Sequence, residues 1–188
     1  CVAGFGDSFG GINLEDIASP HCFEIEQRLR EILPIPVFHD DQHGTAIIAA
    51  AGLLNACDLT GRKMSELNVV LCGAGAAGLS VLDLIQSMGV DPDKVLVVDK
   101  DGVVHDRRND LYPRLATYAK KTDLRTLEQA MKGADCFIGL SAGNIVSGDM
   151  IRSMNASPII FAMANPEPEI RPEAVLEVRK DAIIATGR

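Results

Sequence analysis

Two pairs of neighbouring carboxylates near the start of the sequence are candidates for binding a divalent cation. Glu15-Asp16 and Asp40-Asp41 lie next to glycine-rich or apolar sequence, where an uncompensated carboxylate is costly. Oxygen-only ligands suit Mg²⁺ or Mn²⁺, whose remaining octahedral positions are left to water or substrate oxygens. The same residues also have a structural interpretation as helix-start and turn carboxylates. Asp16 shortly precedes one predicted helix and Asp41 another, so spacing alone leaves both interpretations open.

A glycine-rich segment in the middle of the chain has the pattern that binds the pyrophosphate of a dinucleotide. The segment is Gly73-Ala74-Gly75-Ala76-Ala77-Gly78, or GxGxxG, between a predicted strand and a predicted helix. Gly73 permits the tight turn, Gly75 lets the backbone approach the phosphates, and Gly78 lets helix and strand pack closely. The phosphates would then lie at the free N–H groups and positive end of the helix dipole. The alternative is a tight strand–helix turn without a ligand.

An acidic residue closes the next predicted strand, where the ribose of such a cofactor would lie. A carboxylate at Asp99 can accept hydrogen bonds from both ribose hydroxyls and would repel a 2′-phosphate, which favours NAD. Three basic residues just beyond it, Lys100, Arg107 and Arg108, could neutralise such a phosphate. A solvated loop is the interpretation we favour for them. NAD is therefore slightly favoured over NADP.

Apolar runs and helical spacing predict the elements that must position these residues. The predicted strands are Asn68–Cys72, Val95–Asp99, Cys136–Leu140, Pro158–Met163 and Ala182–Ala185. Helical patterns cover Ser19–Leu33, Ala46–Cys57, Gly75–Met88, Leu111–Lys121, Leu127–Lys132, Gly148–Met154 and Glu173–Arg179. Strands that alternate with helices in this way predict an α/β fold with a doubly wound parallel sheet.

Prolines and polar residues divide the first part of this pattern. Ser19 is the predicted N-cap of the first helix, with Pro20 at its first position. The prolines of the 33–36 segment end that helix and force an extended path, so we place a domain boundary there. Residues 1–36 are then a fragment of a substrate- and metal-binding domain, and residues 37–188 form a second, Rossmann-like domain that binds NAD(P). Residues 39–45 are predicted as a polar loop, and the apolar segment after it as a buried helix.

Polar residues follow two of the predicted strands directly. Ser141 and Asn165 come after apolar strands, and ligands of open α/β sheets bind outside the carboxyl ends of the strands. We therefore expect both beside the cofactor. Asp135 precedes its strand and is expected to be structural. His39 and His43 flank the aspartate pair, and we expect His43 to orient a neighbour or cap the helix.

Composition excludes several classes of protein. With 188 residues, 47% of them hydrophobic and 23% charged, the chain can bury a core, which excludes extensive disorder. The longest apolar stretch falls short of the about 20 residues of a membrane span. A net charge of −8 without a dense Lys/Arg block disfavours nucleic acid. Five scattered cysteines are typical of reduced thiols in the cytoplasm. The start at Cys1 suggests a piece of something longer.

Taken together, several of these segments resemble the bacterial-type malic enzymes. The matching segments, in family order, are Asn13–Ile17, Cys22–Glu26, Pro36–Ala46, the glycine loop, Gly133–Asp135 and Ala164–Ile170. The similarity covers essentially the whole chain, and the His-Asp-Asp-Gln-His-Gly-Thr stretch from residue 39 to residue 45 is its most specific part.

The resemblance implies a function and a set of residue roles. The family oxidatively decarboxylates malate to pyruvate and CO₂ with NAD(P)⁺ and a divalent metal, and a homo-oligomeric parent protein is expected. Carried over by motif, Glu15, Asp16 and Asp41 correspond to the metal ligands. Asp40 matches a residue near the substrate and its proton-transfer network, and Asn165 one at the nicotinamide end. The matched pattern does not use the histidines as ligands.

The resemblance also indicates which groups this chain does not match. The family's catalytic Lys base and Tyr acid lie upstream of the matched part, and no Lys precedes Lys63 and no Tyr precedes Tyr112. We therefore expect the chain to bind the dinucleotide without turning over malate by itself. Two other functions are considered: a non-catalytic dinucleotide-binding module and a metal-independent 2-hydroxy-acid dehydrogenase. The acidic cluster argues against both, because neither needs it.

Overall fold

A computed structural model describes residues 2–187, so Cys1 and Arg188, the outer ends of the two predicted domains, lie outside the described residues. After a 3₁₀ turn at Val2–Ser8, the N-terminal region contains β1 (Ile12–Leu14), α1 (His21–Ile32), β2 (Val37–His39) and α2 (Asp40–Thr60). Strands β1 and β2 pair in parallel as a two-stranded sheet. This pairing joins residues on both sides of the predicted domain boundary at residue 36. The boundary itself stays a prediction.

The rest of the chain forms a six-stranded sheet with the order β5-β4-β3-β6-β7-β8. Its strands are β3 (Val69–Cys72), β4 (Val95–Asp99), β5 (Gly102–Val103), β6 (Cys136–Gly139), β7 (Ile159–Ala162) and β8 (Ile183–Thr186). All neighbours pair in parallel except β4 and β5. Strand β3 lies between β4 and β6, so the strand order reverses there, and such a reversal is where doubly wound sheets bind ligands.

Helices cover both faces of this sheet. They are α3 (Ala76–Ser87), α4 (Pro113–Ala116), α5 (Leu127–Met131), α6 (Gly148–Arg152) and α7 (Pro172–Val178). Alternate residues of β3 belong to two separate apolar clusters, one with α2 and α3 and the other with α5, α6 and α7. Since successive side chains of a strand point to opposite faces, the two clusters are the two layers of the core. The predicted doubly wound α/β fold is confirmed.

The five predicted strands are confirmed, each within one residue at either end. Strand β5 was not predicted, because two residues are too few to show a pattern. The helix predicted over 111–121 is wrong: only Pro113–Ala116 is helical. Residues 118–120 instead lie along the sheet edge, where Lys120 donates its backbone N–H to the carbonyl oxygen of Val104.

Three predictions for the N-terminal region are wrong. Pro20, not Ser19, is the N-cap residue of α1, and no side chain caps that helix. Residues 40–45 are the first turns of α2 rather than a polar loop, since carboxylates in a first turn stabilise the positive helix end. Helix α2 is also not buried all round: Ile48 is 72% exposed and Leu59 is 79% exposed. Among residues 2–187, no helix combines the length and apolarity that a membrane span requires.

Candidate functional site

The glycine loop between β3 and α3 is shaped by steric limits that differ from one glycine to the next. A Cβ on Gly73, which has φ +111°, would lie 2.3 Å from the carbonyl oxygen of Leu140. A Cβ on Gly78 would lie 2.0 Å from the carbonyl oxygen of Gly73. A Cβ on Gly75 would meet no atom within 4 Å. The fold itself therefore requires Gly73 and Gly78, whereas the space above Gly75 is free for a ligand.

That open space lies at the start of α3. Gly75 is the N-cap residue, and no side chain caps this helix end. The first backbone N–H groups of a helix have no partner inside the helix, so those of Ala76 and Ala77 can donate to an anion. The phenol of Tyr112 donates to the carbonyl oxygen of Ala74 at 3.2 Å and holds the loop from outside. The arrangement fits the pyrophosphate of a dinucleotide.

Asp99 closes β4, but its carboxylate is already engaged. The guanidinium of Arg108 donates to both Asp99 oxygens at 2.8 Å each, and its side chain is only 9% exposed. Arg108 also binds Asp110; its hydrogen bonds to both carboxylates raise the pKa of Arg108 and lower that of Asp110 to about 2. The favoured solvated-loop interpretation is therefore wrong for Arg108. It holds for Lys100 and Arg107, whose side chains are exposed.

A cavity of about 910 Å³ lies between α1, α2 and α3, but a smaller one lies where the chemistry is expected. This smaller cavity, of about 510 Å³, lies at the carboxyl ends of the strands, between β6, β7, β8 and the start of α2, and is called the carboxyl-end cavity below. It brings together Asp40 and Asn165, which are far apart in the sequence. Leu140 also lines it, and the Leu140 carbonyl lies against Gly73. The cavity and the glycine loop therefore lie on either side of Leu140.

Asp40 lies over the first turn of α2 because Gly44 leaves room for it. A Cβ on Gly44 would lie 2.5 Å from Oδ1 of Asp40. The predicted cofactor residue Ser141 follows Leu140 at the rim of the same region, and its side chain is exposed. The carboxyl-end cavity is thus lined by an acid and an amide, with a hydroxyl beside it.

The predicted metal ligands lie at the carboxyl ends of β1 and β2. Leu14 is paired with His39, so Glu15-Asp16 and Asp40-Asp41 continue from neighbouring strands. The backbone N–H of Asp16, at φ +57°, donates to Oδ2 of Asp41 at 2.9 Å. Within residues 2–187, no group of three or more His, Cys, Asp or Glu side chains is already arranged to hold a metal ion. Metal binding by Glu15, Asp16 and Asp41 stays a prediction.

The two histidines beside the aspartate pair have different surroundings. His39 is fully buried, neither ring nitrogen has a hydrogen-bond partner in the described part of the chain, and Nδ1 lies 4.0 Å from Oδ2 of Asp41. Nε2 of His43 lies 2.6 Å from Oε1 of the buried Glu26, whose other oxygen accepts from the Gln42 side chain. His43 thus joins α2 to α1, whereas His39 presents an unsatisfied nitrogen to Asp41.

Sequence reasoning missed one buried carboxylate at the carboxyl ends of the strands. Glu169 is completely buried, and its two oxygens accept hydrogen bonds from the backbone N–H groups of Ser141 and Ala164. The sequence contained only one indication of it: Glu169 lies in the Ala164–Ile170 segment that resembles the family. That resemblance did not show where in the fold the side chain lies.

Other polar residues are structural. Asp135, at the opposite ends of the strands, accepts hydrogen bonds from the Asn68 backbone and the Asn155 side chain, as expected for a structural residue. The cysteines of the described residues are all free and buried: Cys22, Cys57, Cys72 and Cys136. Burial raises the pKa of each of these thiols, that of Cys72 to about 11.

Comparison with known proteins gives one consistent family. Residues 42–188 match the family model described as malic enzyme, NAD binding domain. The chain is 58% identical to an NADP-dependent malic enzyme of Rhizobium meliloti and 47% identical to an NAD-dependent malic enzyme of the same organism. Both alignments cover 100% of this chain but only 25% and 24% of those proteins.

A solved structure agrees with this assignment. The NAD-dependent malic enzyme of Thermotoga maritima superposes with a TM-score of 0.92 at 45% identity, over 100% of this chain and 50% of that one. The chain therefore spans between about a quarter and a half of the length of these relatives.

Proposed function

The chain belongs to the malic enzyme family, and on that premise we propose that it supplies the dinucleotide site and the metal-binding carboxylates of an enzyme that converts malate to pyruvate and CO₂ with NAD(P)⁺. The observation that carries the proposal is the carboxyl-end cavity, which both Asp40 and Asn165 line and which lies across Leu140 from the glycine loop. Substrate and nicotinamide would lie next to each other there.

The chain's own residues divide the binding of the cofactor between them. The N–H groups at the start of α3 bind the pyrophosphate, and the open space above Gly75 lets it approach. The Asp99–Arg108 pair meets the adenosine ribose. Ser141 and Asn165 lie at the nicotinamide end, beyond the carboxyl ends of β6 and β7.

The choice between NAD and NADP depends on the Asp99–Arg108 pair. A free carboxylate at Asp99 would favour NAD by repelling a 2′-phosphate, but Arg108 neutralises much of that charge at 2.8 Å. The pair is therefore compatible with either cofactor, and relatives of both kinds exist. NAD stays the proposed cofactor, although Arg108 offsets part of the repulsion that favours it.

A divalent cation, Mg²⁺ or Mn²⁺, would be held by Glu15, Asp16 and Asp41. The backbone link between Asp16 and Asp41 and the unsatisfied His39 nitrogen facing Asp41 support this fit. When bound, the cation would polarise the 2-keto oxygen as a Lewis acid and so ease the loss of CO₂.

Asp40 holds a position suited to proton transfer. Its carboxylate lines the cavity, where it can accept a hydrogen bond from the substrate hydroxyl or from a water molecule beside it. Hydride transfer from C2 of malate requires that hydroxyl proton to leave, and a positioned general base contributes about 10²–10⁴-fold to such a step. The family's Lys base has no match in these residues, so Asp40 is proposed to relay the proton rather than act as the final base.

The setting of the protein is also proposed. Buried thiols with raised pKa values support a reduced, cytoplasmic protein, and a net charge of −8 supports neither a nucleic-acid nor a membrane partner. The exposed apolar side of α2, with Ile47, Ile48 and Leu59, supports homo-oligomerisation. Malate and pyruvate are the proposed small-molecule partners.

A paired measurement tests the function. Calorimetric titration of the 188-residue chain with NAD⁺ and NADP⁺ should show binding, while malate with Mn²⁺ should give no reduced cofactor by absorbance. The corresponding full-length protein should show both. Robust malate oxidation by the 188-residue chain would overturn the assignment of the base to another segment, and absence of dinucleotide binding would overturn the cofactor site.

A further inference from the structure

We propose that Glu169 is a positioning residue for the nicotinamide half of the cofactor site. This inference rests on the proposed function. One carboxylate oxygen of Glu169 accepts the N–H of Ser141 at 2.9 Å, and the other accepts the N–H of Ala164 at 3.0 Å. These N–H groups belong to the segments that leave β6 and β7. A single side chain therefore joins two adjacent loops at the carboxyl ends of the sheet.

The burial of Glu169 makes this arrangement costly to build and specific in its geometry. The residue has 0% exposure, and a carboxylate removed from water loses far more hydration than an apolar side chain. Two charge-assisted hydrogen bonds to backbone N–H groups compensate that loss. An apolar residue would fill the same space at a lower desolvation cost. The carboxylate, in contrast, fixes the distance between the two backbone segments that donate to it.

The surrounding backbone is adapted to the carboxylate. A Cβ on Gly139, the last residue of β6, would lie 2.4 Å from the carboxyl carbon of Glu169. The backbone of Glu169 is held as well, because its carbonyl oxygen accepts the N–H of Val146 at 3.0 Å. Just before it, the carbonyl oxygen of Pro168 accepts the N–H of Asn144 at 2.9 Å. The two loops thus form one connected unit with Glu169 at its centre.

This unit carries both residues predicted to meet the nicotinamide end of the cofactor. Ser141 donates directly to Glu169, and Asn165 follows Ala164, the other donor. The adenosine ribose site at Asp99 lies on β4, on the far side of β3 from β6 and β7. A change at Glu169 should therefore act most strongly on the nicotinamide half of the ligand and least on the adenosine half.

The variant Glu169→Gln tests this separation. The amide keeps the shape of the side chain but replaces one acceptor oxygen with an NH₂ donor, which faces a backbone N–H and cannot accept from it. Binding should be measured by calorimetry for two ligands: the oxidised dinucleotide, and ADP-ribose, which lacks the nicotinamide. We expect the dissociation constant of the dinucleotide to rise about 10-fold, as for the loss of one charged hydrogen bond, and that of ADP-ribose to change less than about twofold.

The matched control is Glu167→Gln, an exposed carboxylate two residues away that pairs with Arg171 at 2.8 Å on the surface. It should leave both dissociation constants at the wild-type value. Equal weakening of both ligands by Glu169→Gln would show a merely structural role and overturn the proposal. Unchanged binding of the dinucleotide would overturn it as well.

A measurement on the wild-type chain covers the case in which the variant does not fold. The amides of Ser141 and Ala164 should exchange with D₂O more slowly than is usual for residues just after a strand, because each donates to a buried acceptor. Rapid exchange of either would overturn the proposal. Wild-type chain that binds neither ligand would contradict the proposed function, and amide exchange would then still show whether Glu169 holds the two loops together.

Discussion

The glycine loop and the N-terminal carboxylates are two predicted binding regions built in opposite ways. The loop between β3 and α3 is backbone, seated on a strand whose four residues are all buried. The carboxylates of Glu15, Asp16 and Asp41 are side chains at the ends of strands only three residues long, and one hydrogen bond, from Asp16 to Asp41, links them. The packed core of the fold therefore sets the shape of the first region, whereas it sets only the approximate positions of the side chains in the second.

The physical reason for this difference is charge. A phosphate binds uncharged N–H groups that can converge without repelling each other, so the loop can take its binding shape before the ligand arrives. Carboxylates repel when they converge, and exposed ones gain hydration by staying apart. The first region should therefore be sensitive to shape and the second to charge, and four predictions test that division.

The largest effect is expected from Gly78→Val. Its Cβ would lie 2.0 Å from the carbonyl oxygen of Gly73, so helix and strand must separate. We expect a lower melting temperature, since overpacking typically costs about 1–3 kcal/mol of stability. Dinucleotide affinity should fall about 100-fold, because the displaced helix start no longer presents its N–H groups to the phosphates. The measurements are thermal unfolding and calorimetric titration.

Gly75→Ala is the matched comparison for that variant. Its Cβ meets no protein atom within 4 Å, so the melting temperature should stay at the wild-type value while dinucleotide affinity falls. Wild-type affinity in Gly75→Ala would show that no ligand approaches this backbone, and the shape argument for the loop would be lost.

The next largest effect concerns charge in the carboxylate region. Asp41→Asn should weaken Mn²⁺ binding by roughly 10-fold or more. Removing a group that only hydrogen-bonds to a metal ligand already lowers metal affinity about 10–100-fold, and removing a charged ligand should cost at least as much. Titration calorimetry with Mn²⁺ measures it. Asp58→Asn, at the exposed other end of α2, is the control and should bind Mn²⁺ like the wild type. Equal affinities in the two variants would remove Asp41 from the site.

A smaller, several-fold effect is expected where shape and charge meet, at Asp99. Asp99→Ala removes a ribose acceptor and the repulsion of a 2′-phosphate, and it leaves Arg108 free of its partner at 2.8 Å. The ratio of NAD to NADP affinity should fall about 5–10-fold, as for one charged hydrogen bond. Arg108→Ala should move the ratio the other way. A wild-type ratio in Asp99→Ala would show that this carboxylate does not reach the ribose.

The smallest effect is a difference in thiol reactivity between the regions. In a Cys1→Ser background, alkylation at mildly alkaline pH should modify Cys22 of α1 before Cys72 and Cys136 of the sheet. Burial raises the pKa of all three thiols, that of Cys72 to about 11, and opening the core costs more than opening a peripheral helix, so the thiols of the sheet should react later. Mass spectrometry after a time course gives the order. Faster labelling of Cys72 would indicate that the loop region opens more readily than its packing implies.

The amount that sequence could predict differs between the regions for the same physical reason. The strands around the glycine loop are continuous apolar runs with β-branched residues, a local pattern that predicts them within one residue. The segment from His39 to Thr45 is polar and contains Gly44, so local pattern predicted a loop where the structure has the start of a helix. Tertiary contacts define that segment: the pairing of β2 with β1, the packing of Asp40 over Gly44, and the hydrogen bonds of Gln42 and His43 to Glu26.

By itself, the sequence determined the alternation of strands and helices, the glycine spacing and the family, because each of these depends on residues that are close together in the chain. The tertiary structure decided which distant residues meet. It placed Arg108 on Asp99, Asp40 and Asn165 in the lining of one cavity, and the Glu169 carboxylate between two loops. These contacts depend on strand order, which sets the residues that lie close together. They also depend on the cost of burying charge, because a buried carboxylate is stable only where the fold supplies hydrogen-bond donors.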